Sequence, residues 1–74
     1  MSRLILTFET LFLVLAADKL LKSQVRCRPT PTPAGLSASI CGMSIELLES
    51  DRVDFALALL HEAENDPAGV HQID

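Results

Sequence analysis

The chain has 74 residues, 49% of them hydrophobic and 22% charged, which is too apolar for a disordered segment and short enough to predict one domain over residues 1–74. A net charge of −4, with no Trp, no Tyr and three Phe, excludes a general nucleic-acid binder, which needs a basic patch to displace counterions and rings to stack on bases. A chain this small buries about 60–65% of its unfolded surface, so its stability margin is thin and a homo-oligomer is expected.

Residues 1–17 imitate a secretory signal: Arg3 gives a positive start, residues 11–15 are apolar, and Val14-Leu15-Ala16 resembles a cleavage site. Glu9 and Thr10 interrupt the apolar run, which falls short of the roughly 20 residues a membrane span needs. The pattern then continues unbroken through Asp18-Lys19-Leu20-Leu21-Lys22. The segment therefore reads as folded structure, and the expectation is a cytoplasmic protein with no membrane partner.

Leu4, Ile5, Leu6, Thr7 and Phe8 form a short apolar run suited to a buried strand. A helix follows over 9–23, capped by Thr7 or Thr10, with Glu9 favourable against the dipole of its first turn. Leu13, Val14, Ala17, Leu20 and Leu21 share its inward face, whereas Leu11, Phe12 and Leu15 fall on the arc of Asp18, Lys19 and Lys22. Residues 25–29 alternate, Val25 and Cys27 pointing one way and Arg26 and Arg28 the other, as in a half-exposed strand.

Pro29, Pro31 and Pro33 predict an extended loop over 29–42, prolonged by Gly35, Ser37, Ala38 and Ser39 into Cys41-Gly42. Residues 43–48 read as a third strand. Ser50 is the expected N-cap of a second helix whose apolar stripe is Val53, Ala56, Leu57, Leu60 and Ala63. Asp66-Pro67-Ala68-Gly69 is a stop and turn, and residues 70–73 leave room for a last short strand. The order β-α-β-β-α-β is the ferredoxin-like plan: an α+β fold with two helices on one face of a four-stranded antiparallel sheet.

The chemistry is sparse. Two cysteines, Cys27 and Cys41, show no CxxC and no zinc-ligand spacing, so reduced thiols and no metal are expected. His61 falls in the polar arc of the second helix and His71 near the terminus, with no ligand partner in sequence. Glu46 and Glu49 read as two surface carboxylates, and three scattered glycines make no phosphate loop. No cofactor is expected.

Several features in order resemble the selenium/sulfur carrier-like family of small bacterial proteins. They are a strand ending in Phe8, Ala17-Asp18-Lys19-Leu20-Leu21-Lys22 closing the first helix, and Val25-Arg26 opening the second strand. Pro31-Thr32-Pro33, Leu36-Ser37, the small-residue run into Cys41-Gly42, and Ala56-Leu57-Ala58-Leu59-Leu60 complete the set. The likeness spans nearly the whole chain and rests on order and spacing. This chain departs from the pattern in a longer loop, with Ile40 directly before Cys41, and in a more apolar first helix.

The resemblance implies a carrier or binding protein rather than an enzyme, with Cys41 as the sulfur-accepting thiol and with donor and acceptor proteins as partners. Such a thiol must be accessible and ionisable. Gly42 and the small Ser39 leave room for a partner's sulfur, and Arg26 or Arg28 are candidates to stabilise the anion. Cys27 reads as core filler, or alternatively as a resolving thiol, which needs a Cα within about 7 Å of that of Cys41. Leu11, Phe12 and Leu15, apolar on a solvent arc, point to a contact surface for a second copy or a larger enzyme. The competing reading is a non-catalytic interaction module of the same fold in which Cys41 only packs.

Overall fold

The computed structural model describes residues 3–33, 35 and 42–73; Ser39 and Cys41 lie outside them. Its elements are β1 (Arg3–Thr7), α1 (Leu11–Leu21), β2 (Cys27–Pro31), β3 (Met43–Leu47), a 3-10 turn (Ser50–Arg52), α2 (Val53–Glu62) and β4 (Gly69–Ile73). The strands form one antiparallel sheet in the order β2-β3-β1-β4. That order, with both helices on one face, is the ferredoxin-like fold.

The strand with the most apolar sequence takes a central place. β1 pairs with β3 on one side (Leu6 opposite Ile45) and with β4 on the other (Leu6 opposite Val70). Period-two alternation sends Leu4 and Leu6, with Phe8 beyond the strand, towards the helices, where they meet Ile45, Leu47 and Cys27. From above, α1 contributes Val14, Ala17 and Leu21, and α2 contributes Ala56 and Leu60. Leu21 and Leu60 are fully buried, each a gain of about 2 kcal/mol from removing a large aliphatic group from water.

Local chemistry sets the ends of α1. Thr10 stays extended and its Oγ1 accepts the Leu13 N–H at 3.2 Å, satisfying one of the free donors of the first turn. α2 begins differently from the expectation at Ser50: a 3-10 turn leads in, and the N-cap position falls at Arg52, which makes no side-chain capping bond. Its stripe also shifts. Ala63 is the exposed C-cap residue, and Leu59 takes its place against the core. After the helix Glu64 adopts the left-handed conformation (φ 58°), so the chain turns there, and Gly69 opens β4 instead of closing the turn.

Two further expectations fail for physical reasons. Pro29 and Pro31 lie inside β2 and not in a loop. β2 is an edge strand, and its bonds to β3 come from the even positions: Arg26 O accepts from Leu48 N at 2.9 Å, and Thr32 N donates to Gly42 O at 2.9 Å. The odd positions turn their backbone to the open edge, where a proline's missing N–H costs nothing. Asp18, placed by the helical wheel among solvent-facing residues, is only 9% exposed because β2 packs beside it, close to Cys27.

Candidate functional site

The base of the loop that carries Cys41 is fixed by the sheet. Among the described residues the Thr32–Gly42 bond is the last rung between β2 and β3, and Thr32 Oγ1 lies 2.6 Å from Ser44 Oγ beside it. Gly42 itself is exposed, with open space where a Cβ would stand. Of the residues singled out for sulfur chemistry, Gly42, Arg26, Arg28 and Cys27 can be placed.

Cys27 belongs to the core. It is a free thiol, 9% exposed, facing the helices from β2. Burial pushes its pKa up, the negative charge of Asp18 adds to this, and Lys22 opposes it. A thiol so placed stays protonated and is a poor nucleophile at neutral pH. Asp18 is itself unusual: Oδ2 pairs with Lys22 Nζ at 3.2 Å, while buried Oδ1 has no hydrogen-bond partner among the described residues.

The arginines have partners of their own. The Arg26 backbone N–H donates to Glu49 Oε1 at 3.0 Å. Arg28 donates through Nε and Nη2 to Glu46 Oε1 at 3.3 and 3.1 Å. Arg3, from the other side, donates through Nε to Oε2 and through Nη2 to Oε1, both at 3.1 Å. Glu46 is therefore no surface carboxylate: it is 6% exposed and clamped between two guanidiniums. Hydrogen bonds from Arg3, then those from Arg28 and the attraction of both cations, hold its carboxyl below the ordinary range although burial works the other way.

Around this clamp the face away from the helices holds buried polar groups beside the fully buried Ile5, which stands opposite Glu46. Thr30, Ser44 and Thr7 stand in register across β2, β3 and β1. Thr7 Oγ1 donates to Gly69 O at 3.3 Å and lies 3.5 Å from His71 Nε2. The signal for this face was present in the alternation of Arg28, Thr30 and Thr32 with that of Ser44 and Glu46.

Leu11, Phe12 and Leu15 are 49%, 77% and 54% exposed on the outer side of α1, a run of large apolar groups in water. A cleft of about 280 Å³ beside the start of α1 is lined by Glu9, Leu13, Glu64, Asn65 and Asp66, and its carboxylates make it unsuited to anions. Among the described residues no group of His, Cys, Asp and Glu could hold a metal ion. Among the described residues no helix is long and apolar enough to cross a membrane.

A family model described as "Putative Se/S carrier protein-like" matches residues 3–72, nearly the full length. No curated protein and no solved structure matches the chain.

Proposed function

The chain belongs to the Se/S carrier protein-like family, and from that membership we propose that it carries sulfur or selenium on the thiol of Cys41, as a cytoplasmic protein. In the sulfur case the Cys41 thiolate attacks the outer sulfur of a donor persulfide. The new S–S bond leaves Cys41 as a persulfide, the donor's S–S bond breaks, and the donor departs as a thiolate. Transfer to an acceptor thiol repeats the exchange, so no oxidant or reductant is consumed.

The observation that carries this reading is the family match over residues 3–72. The contrast between the two thiols supports it. Cys27 is buried with a raised pKa, which leaves Cys41, next to exposed Gly42, as the candidate for exchange. Ser39 is assigned to the same loop as a hydroxyl donor to the anion. A carrier must also meet its donor and acceptor, and the exposed Leu11, Phe12 and Leu15 are assigned that contact or the contact with a second copy.

The test is intact-mass spectrometry after incubation with a persulfide donor. The wild type gains about 32 Da, the mass of one sulfur left by exchange, and Cys41→Ser does not. An adduct that survives Cys41→Ser, or none on a wild type whose Cys41 a small thiol reagent also fails to label, overturns the reading and favours the non-catalytic module.

A further inference from the structure

The sheet face opposite the helices holds charge that thiol exchange does not use. Arg3 on β1 and Arg28 on β2 reach the single carboxylate of Glu46 from the two strands flanking β3. Their Nη2 atoms each lie 3.1 Å from the same oxygen, Oε1, so they stand within twice that distance of one another. Two cations on one anion leave a surplus positive charge on a protein whose net charge is −4. Exposed Arg26 adds another guanidinium at the same edge.

Each of the two guanidiniums spends Nε–H and one Nη2–H on Glu46 and keeps its remaining N–H groups, which have no partner among the described residues. The side chains are 43% and 61% exposed, so those edges meet water. Glu46 is a fixed anchor because it is buried, and it prevents the two forks from swinging apart. Donors held in place before a ligand arrives do not lose that freedom on binding.

The geometry points to an oxyanion site on this face, in which Arg3 and Arg28 bind one tetrahedral dianion of the sulfate or thiosulfate class. A tetrahedral dianion offers several oxygens at once, so each guanidinium takes its own. A halide offers one acceptor atom and so satisfies fewer of the free N–H groups. The class includes small anionic sulfur donors; that link rests on the carrier reading, whereas the binding does not.

The experiment follows the arginine Nε–H signals by NMR while sulfate or thiosulfate is added, with chloride at matched ionic strength as the control. Saturable shifts at Arg3 and Arg28 are expected with both dianions and not with chloride. Arg28→Gln weakens binding about tenfold, the loss of a charge-assisted pair. Removing more charge from the helix side, with Lys19→Gln/Lys22→Gln, changes it by less than about twofold, since exposed distant charges are screened. Amide dispersion checks that each variant is folded. Shifts that are linear and shared by chloride, or an Arg28→Gln loss no greater than that of the lysine pair, overturn the proposal. Cys41→Ser binds the anion as the wild type does, so failure here and failure of persulfide formation are read separately.

Discussion

Lys22 reaches back one helical turn to Asp18, Nζ to Oδ2 at 3.2 Å, and leaves the other carboxylate oxygen buried with no partner among the described residues. The same carboxylate raises the pKa of Cys27 from across the α1–β2 contact. Burial is the larger cause of the raised Cys27 pKa, and Asp18 adds to it.

Asp18→Asn should therefore bring the Cys27 pKa down, towards but not to the ordinary value, because burial, the larger cause, remains. In a Cys41→Ser background the pH dependence of thiol alkylation reads Cys27 alone. Its midpoint moves to lower pH in the Asn variant; a midpoint that stays put or rises contradicts the assignment.

Glu46 links stability to pH. Its folded pKa is depressed, so the stabilisation is present above the unfolded carboxylate pKa, about 4.3, and is lost as pH falls through the folded value. Thermal melts of the wild type should lose stability below about pH 4.3, and Glu46→Gln should flatten that part of the profile. An unchanged slope in the variant would assign the acid loss to other groups.

Thr10→Ala removes the acceptor for the Leu13 N–H and should cost about 1 kcal/mol, with Thr10→Ser restoring most of it. Leu60→Ala empties a fully buried site at the α2–sheet contact and should cost about 2–5 kcal/mol. Urea unfolding followed by circular dichroism measures both, and the ranking is the claim: a cap loss equal to the core loss would be inconsistent with the packing described.

Leu11→Glu/Leu15→Glu places charge on the outer face of α1 without touching the core. If that face joins two copies, size-exclusion chromatography shows a later elution for the variant than for the wild type at equal concentration. Identical elution of two folded proteins rejects a self-contact there.

Much of the fold was legible because it rests on local periodicity. The inward stripe of α1 was visible at Val14, Ala17 and Leu21, and so was the solvent placement of Leu11, Phe12 and Leu15. What escaped depends on tertiary position. Pro29 and Pro31 fit a strand only at an edge, and sequence does not say which strand is outermost. Glu46 became a clamped carboxylate because Arg3, forty-three residues away, and Arg28, eighteen away, meet it across the sheet. Asp18 is covered because β2 packs beside it, which a helical wheel does not contain. Cys41 and Ser39 lie outside the described residues, so the thiol's role rests on resemblance and family membership.

The rung between Thr32 and Gly42 acts as a fastener. It closes the sheet before the segment bearing Cys41 begins, so the register of β2 on β3 does not depend on how many residues lie between. Doubling such a loop costs only about 0.6 kcal/mol in closure entropy. A residue added to the run into Cys41 is thus a change that the scaffold tolerates cheaply. A change of length between Thr32 and Gly42 leaves the pairing of β2 with β3 as it is.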